Sequence, residues 1–237
     1  MIKVWAFIRA LYIWLVGGGI FLVATLIGIV LFNIIPAKKL HYPYSRFLRL
    51  VFIFSFIPVE RRRKGKYDKN KSYIFMANHT SLVDVPLMGA YLPVFANALE
   101  AHSHFKWPLY RHLIKAYGQI PIDRSSAQKS VRSFELASQK VNSGTSIIVF
   151  PEGHRTRDGK LRTFKKLPFT MAKQTHADII PIGIKGMWKV CGGESFFLYP
   201  GKLYMNFGEA IPHQKIQEMT ENEISDLVRQ EIIELSK

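Results

Sequence analysis

The sequence predicts an α/β domain with a largely parallel sheet flanked by helices, preceded by an N-terminal membrane-binding helical segment. Three observations carry this expectation. Residues 67–237 alternate short β-branched or aromatic runs with helical stretches, the pattern of strand–helix–strand units. Ala10 to Ala37 hold no charged residue in 28 positions. The basic excess crowds around that apolar run: Met1–Lys66 carries eleven Lys/Arg and one acid, Glu60. That is +10 of the total +16, leaving +6 for the other 171 residues.

Composition narrows the field. The chain has 237 residues, of which 48% are apolar, enough to bury a core and too many for a disordered segment. The single cysteine, Cys191, excludes a disulfide scaffold and suits a reducing compartment. A net charge of +16 calls for an anionic partner. Its position beside the apolar run favours a lipid surface over nucleic acid.

As a helix, Ala10–Ala37 would be about 42 Å long at about 1.5 Å per residue, enough to cross a hydrocarbon core of about 30 Å with tilt. Gly17, Gly18 and Gly19 interrupt it, which membrane helices tolerate. The run is too long for a cleaved signal peptide, and no small-x-small cleavage site precedes Lys38. Phe47–Val59 is a second apolar stretch, too short to span, expected at the interface or packed on the first as a hairpin. The block Arg61-Arg62-Arg63-Lys64-Gly65-Lys66 follows and is expected to rest on anionic head groups. Short basic flanks stay on the cytoplasmic side, so the rest of the chain is expected to face the cytosol at the inner membrane. These features define residues 1–66 as a membrane-anchoring unit and 67–237 as the folded domain.

Within the domain, strands are expected at Tyr73–Met76, Val94–Ala98, Gln119–Ile122, Ser146–Phe150 and Ile179–Ile184. Helices are expected at Ser81–Tyr91, Phe105–Tyr117, Ala127–Asn142 and about Leu167–Gln174. Ser125 or Ser126 supplies an N-cap for the third, and Gly144 its end. Phe196–Tyr199 and Lys202–Phe207, joined by Pro200-Gly201, look like a hairpin. A last helix starts near Glu221, with Thr220 as cap and Glu223 three residues on.

Four stretches at strand ends carry chemistry. Asn78-His79-Thr80-Ser81-Leu82-Val83-Asp84 places a histidine after a strand and an aspartate at a helix start. Such a carboxylate can hold one imidazole nitrogen and leave the other as a general base; it can equally serve as a helix cap. Phe150-Pro151-Glu152-Gly153-His154-Arg155 follows the most apolar strand; Gly153 lets the backbone approach a ligand, and Arg155 offers a bidentate fork to phosphate. Ile122-Asp123-Arg124 is a strand ending in a charged pair, and Ile180-Pro181-Ile182 reads as core. Neither a Gly-x-Ser-x-Gly elbow nor a phosphate-binding Gly-x4-Gly-Lys-Ser/Thr loop occurs. His102 and His104, with His79 and Asp84, match no standard zinc spacing, so no metal is expected.

Together, the His79-x4-Asp84, Ile122-Asp123-Arg124, Phe150-Pro151-Glu152-Gly153-x-Arg155 and Ile180-Pro181-Ile182 stretches resemble the glycerophospholipid acyltransferase family. The bacterial 1-acyl-sn-glycerol-3-phosphate acyltransferases look nearest. The resemblance covers about residues 70 to 190. It implies acyl transfer from a thioester to the free hydroxyl of lysophosphatidic acid, giving phosphatidic acid for phospholipid biosynthesis. His79 would be the general base and Asp84 its orienting partner. Arg124 and Arg155 would hold the acceptor phosphate, and Glu152 and Gly153 would shape that site, Glu152 by pairing with an arginine. No metal or bound cofactor is implied; acyl-ACP or acyl-CoA is a substrate, and the partners are membrane lipids rather than nucleic acid. Two departures stand near the expected head-group region. The family's lysine pair is absent from Ala101-His102-Ser103-His104-Phe105-Lys106-Trp107-Pro108, and Leu167 replaces a glycine after Phe164-Lys165-Lys166. They keep two alternatives open: another acceptor such as lyso-ornithine lipid, or a membrane-tethered lipid-binding protein without catalysis.

Overall fold

The apolar runs of the domain come together as the buried strands of one sheet. The computed structural model describes residues 2–65, 67–68, 70–192 and 197–237. Its strands are β1 (Val59–Arg63), β2 (Tyr73–Ala77), β3 (Ala96–Ala101), β4 (Ile120–Ile122), β5 (Ser146–Val149), β6 (Asp178–Lys185) and β7 (Leu203–Phe207). Among the described residues they are ordered β1-β7-β6-β2-β5-β3-β4. Strands β2 to β6 are mutually parallel, β7 is antiparallel to β6, and β1 is parallel to β7. Every residue of β2 and β5 is buried, as strands covered on both faces must be.

Alternation along β2 divides the core. Tyr73, Phe75 and Ala77 face a cluster shared with α1 (Ile2–Ile34), α2 (Ala37–Phe54), α3 (Asp84–Tyr91), α4 (Tyr110–Tyr117) and α7 (Met187–Cys191). Ile74 and Met76 face the cluster of α5 (Ala127–Asn142), α6 (Leu167–Lys173), α8 (His213–Glu218) and α9 (Glu221–Ser236). Helix α5 has the expected bounds, with the Ser126 side chain accepting from Lys129 N–H. In α9, Thr220 and Glu223 form a reciprocal capping box, and Ile224, Val228, Ile232 and Leu235 are its buried stripe. This helix lies so close to β6 that a Cβ on Gly183 would sit 2.3 Å from the Leu235 carbonyl carbon.

Three expectations are corrected. The hairpin does not form. Phe196 lies outside the described residues, Phe197–Tyr199 are not a strand, and Tyr199 N–H bonds the Val190 carbonyl instead. Both edges of β7 are already taken, by β6 and by β1. The stretch Phe105–Tyr117 is broken: a 3-10 turn over His102–Lys106 precedes Pro108, and α4 starts only at Tyr110, because proline cannot continue the hydrogen-bond ladder. Lastly, the basic block does not belong wholly to the anchor, since Arg61–Arg63 are part of β1 in the sheet. Arg61 and Arg49 donate to the carbonyls of Tyr91 and Ala90, at the C-terminal end of α3 where cations are favoured. Lys66 lies outside the described residues.

Helices α1 and α2 pack as a hairpin, one of the two arrangements expected for the second apolar stretch, although α2 runs over Ala37–Phe54 rather than Phe47–Val59. Tyr12 Oη donates to the Phe54 carbonyl and Tyr44 Oη to that of Ala24. Phe32 wedges edge-on between Tyr44 and Tyr117, at 4.7 and 5.2 Å between ring centroids. The outer side of α1 faces away from the protein: the stretch Val4–Ile34 is apolar and long enough to cross a membrane, yet most of it is not buried within the protein. Leu15 (67% exposed), Leu26 and Val30 lie on that side, and Phe56 (68% exposed) extends the apolar surface beyond α2. An apolar surface of this extent is a membrane-association surface. A Leu15→Glu, Leu26→Glu double variant is therefore expected to shift the protein from the membrane to the soluble fraction, since each buried charge opposes insertion by up to about 3 kcal/mol. Sedimentation of lysates, with circular dichroism to check the fold, measures this.

Candidate active site

The two motif loops leave neighbouring strands at the same sheet edge, because β2 and β5 pair in parallel. Ligand sites of parallel sheets lie at that carboxyl edge. Asn78 fixes the end of β2, donating through Nδ2 to the Ile184 carbonyl at 2.9 Å and accepting from Ile184 N–H at 2.7 Å. The next residue is His79. Its Nδ1 lies 2.8 Å from Asp84 Oδ2, and its ring stacks on Phe150 with centroids 4.1 Å apart.

Asp84 is fully buried as the first residue of α3. Its Oδ2 also accepts the N–H groups of Thr80 (2.6 Å) and Ser81 (2.8 Å). The carboxylate thus holds the turn and the imidazole at once, so the cap and the orienting partner foreseen as alternatives are one group. With Nδ1 engaged, Nε2 is the nitrogen left free, and His79 lines an open cleft of about 730 Å³.

Glu152 differs from expectation. It is 1% exposed and pairs with no arginine side chain; its Oε1 accepts His79 N–H at 2.6 Å and its Oε2 accepts Arg162 N–H at 2.8 Å. Burial raises its pKa, and the two N–H bonds work against that rise. Thr156 N–H donates in turn to the His79 carbonyl at 2.9 Å. Glu152 and Thr156 therefore tie the Phe150–Arg155 loop to the histidine backbone. Gly153 sits at φ 76°, where a side chain would be strained, and its N–H closes a turn onto the Phe150 carbonyl.

His79, Arg124, Gly153 and Arg155 line the same cleft, whereas Asp84 and Glu152 stand behind its wall. Asp123 turns away from it; Ser125 hydrogen bonds hold its carboxyl down at about 2. Sequence reasoning missed Lys165 and Lys166, which also line the cleft, and Phe150 as the stacking surface. It missed as well that Glu100 pairs with His104 Nδ1 on the cleft wall. The spacing Glu100-x3-His104 is the only local signal for that pair, and it needs the strand end and the 3-10 turn to bring the groups together. No group of metal-ligating side chains is found among the described residues.

An apolar groove of about 360 Å³ adjoins the cleft. It runs between α1, α2 and the 107–110 segment, with half-exposed Trp14, Leu82, Trp107 and Leu109 along it. Leu82, Val85, Glu100 and His104 line both spaces, so the groove opens into the cleft there.

Comparison with known proteins decides the family. A family model described as Acyltransferase matches residues 57–185, more than half of the chain. The chain belongs to this acyltransferase family. The matched range starts at Ile57, so it takes in β1, as the sheet does. The acyltransferase is 26% identical over 86% of its length to the 1-acyl-sn-glycerol-3-phosphate acyltransferase of Limnanthes douglasii, covering 75% of that protein. It is 27% identical over 70% of its length to the enzyme of the same name from Borreliella burgdorferi, covering 66% of it. Its fold matches the crystal structure of the 1-acyl-sn-glycerophosphate (LPA) acyltransferase PlsC from Thermotoga maritima. The TM-score is 0.79 at 22% identity, over 98% of this chain and 95% of that one.

Proposed function

We propose that this acyltransferase moves a fatty acyl group from an acyl thioester, acyl-ACP or acyl-CoA, to the free hydroxyl of lysophosphatidic acid, forming phosphatidic acid. The observation that carries this reading is the His79–Asp84 pair at the bottom of a basic cleft, with an apolar groove opening beside it. The acyl chain lies in the groove and its carbonyl at the junction. His79 Nε2 takes the proton of the acceptor hydroxyl as the oxygen attacks that carbonyl, and Asp84 stabilises the imidazolium. The tetrahedral intermediate then expels the thiolate, which receives the proton from His79. The thioester is already activated, so no acyl-enzyme is required, and no residue here is assigned to a metal or bound cofactor.

Arg124 and Arg155 hold the acceptor phosphate, supported by Lys165 and Lys166 on the same cleft wall. The α1–α2 hairpin places the groove mouth at the lipid surface, so that the lysolipid reaches the cleft without leaving the membrane. The inner membrane, with the domain on its cytoplasmic side, suits both donors and the basic residues that follow α1. Purified protein in vesicles, given a panel of lysolipids that includes lysophosphatidic acid and lyso-ornithine lipid with both thioesters, tests the reading. Turnover of lyso-ornithine lipid alone would replace the acceptor, and no transfer to any acceptor would reject the activity.

The phosphate grip has its own test. Arg155→Ala is expected to raise KM for lysophosphatidic acid about tenfold or more, the range of a lost charge-assisted hydrogen bond, with little change in KM for the thioester. Arg155→Lys restores the charge and not the fork, so it should recover only part of the loss. Equal losses with an acceptor that lacks a phosphomonoester would make Arg155 a structural residue.

A further inference from the structure

Among the described residues only two non-glycine residues take a positive φ, Phe56 at 53° and Leu109 at 59°. Both are bulky and apolar, the kind of side chain that the left-handed region penalises. Phe56 follows the C-cap of α2. Its N–H bonds the Ile53 carbonyl and the Ile57 N–H that of Phe52, both at 3.0 Å, in a helix-ending turn whose left-handed position usually holds glycine. Leu109, with ψ −59°, is the centre of a three-residue turn closed by Tyr110 N–H on the Pro108 carbonyl at 2.6 Å, a rare and strained form. In neither place does the protein cover the side chain that causes the strain. Phe56 is 68% exposed and Leu109 46%.

Strain of this kind persists where it serves a function. Here it presents an apolar side chain outward, so what meets that chain lies outside the protein. Position identifies it. The Phe56 ring lies against Tyr12 of α1, with centroids 6.0 Å apart, and Tyr110, next to Leu109, packs on Phe21 of the same helix at 6.2 Å. Nine residues of α1, about 14 Å of helix, separate those two contacts. Ile13, Gly17 and Gly18, between them, line the apolar groove, with Ser55 and Ile57 on the Phe56 side and Trp107–Tyr110 on the other. The two turns therefore flank the groove and continue the exposed apolar surface of α1, which includes Leu11 and Leu22. Trp107 is half-exposed beside Leu109, and exposed Lys106 and Arg111 flank the pair. An aromatic ring, an apolar neighbour and flanking cations suit a membrane–water interface, where the cations meet anionic head groups.

We propose that Phe56 and the Trp107–Leu109 turn are two wedges, outside the α1–α2 hairpin, that insert into the lipid surface on either side of the groove and hold its mouth against the bilayer. Lipid chains pass between them into the groove. The hairpin anchors the chain, and the wedges fix which side of the domain meets the membrane. Lipid then covers the two side chains that the fold leaves exposed, and that burial offsets the strain of the turns. This placement rests on the reading that α1 lies in the lipid, not on the acyl-transfer chemistry.

Probes on single cysteines test it in the full chain. Phe56→Cys, Leu109→Cys, Leu26→Cys on α1 and Lys215→Cys on α8, at the other face of the sheet, are each made in a Cys191→Ala background and labelled with nitrobenzoxadiazole. The proteins are placed in vesicles of phosphatidylethanolamine and phosphatidylglycerol, and quenching by a nitroxide-bearing lipid is compared with quenching by aqueous iodide. Labels at 56 and 109 should be quenched by the lipid, as at 26, with iodide constants several-fold below that at 215. Iodide quenching at 56 or 109 as strong as at 215 would overturn the proposal while the α1 result stands. Protection from both quenchers would overturn it too, because a protein partner and not lipid would then cover the turns. Free access of iodide to the label at 26 would overturn the membrane reading beneath it, and the wedges with it. A chain that keeps Trp107 as its only tryptophan gives the same measurement without a label: lipid brominated near the carbonyl end should quench it, and an unquenched Trp107 would reject the wedge at 107–109.

Discussion

Replacing His79 by alanine is expected to lower turnover about 10²–10⁴-fold, the usual contribution of one general base, and to leave the protein folded and on the membrane. The fold survives because what binds this residue into its surroundings is backbone. Its N–H reaches Glu152 and its carbonyl accepts from Thr156, and alanine keeps both. Asp84 keeps its two N–H partners from Thr80 and Ser81. The substitution removes the imidazole, with its stacking on Phe150 and its bond to Asp84. Single-turnover acyl transfer by purified protein in vesicles, with thermal unfolding as control, measures the effect. Wild-type turnover would leave the cleft without its base and reject the mechanism.

Asp84→Asn should reduce turnover about 10- to 100-fold, the equivalent of about 1.5–3 kcal/mol for a hydrogen bond that loses its charge. The geometry makes this a clean electrostatic test. All three close N–H or ring contacts converge on Oδ2, so an asparagine oxygen in that place preserves each of them. What is lost is the negative charge that stabilises the imidazolium. The Thr80 and Ser81 N–H bonds to Oδ2 lose the same charge, so some loss of thermal stability should accompany the fall in kcat. A variant with normal kcat would reduce Asp84 to a helix cap.

The chain shows different features at different distances. The bounds of α5 and the Thr220–Glu223 capping box were both legible, because each depends on residues within a few positions of one another. The parallel α/β layout was legible from alternation, and the His79–Asp84 pair from its spacing on one turn. The Phe196–Phe207 hairpin was misread for the converse reason. A Pro-Gly between two apolar runs is a good local signal, yet β7 found better partners in β6 and in β1, about 144 residues earlier at Val59↔Leu203. Likewise, three arginines in a row beside apolar segments look like a flank for anionic head groups, and nothing local shows that they form an edge strand whose Arg61 closes the end of α3.

The candidate site divides along the same line. The sequence alone determined which residues stand at the ends of β2, β4 and β5, and hence that His79, Arg124, Gly153 and Arg155 could share one edge. Only the tertiary structure decided what the remaining polar groups do. Glu152 reads as a charge for an arginine, but folding buries it where two backbone N–H groups, 73 residues and 10 residues away, have no other acceptor. Glu100 reads as a strand residue, but folding buries it against the His104 imidazole between groove and cleft. The physical reason is the same in both cases. A buried polar atom takes whichever partner packing brings within about 3 Å, and the free energy at stake exceeds any local preference written in the neighbouring residues.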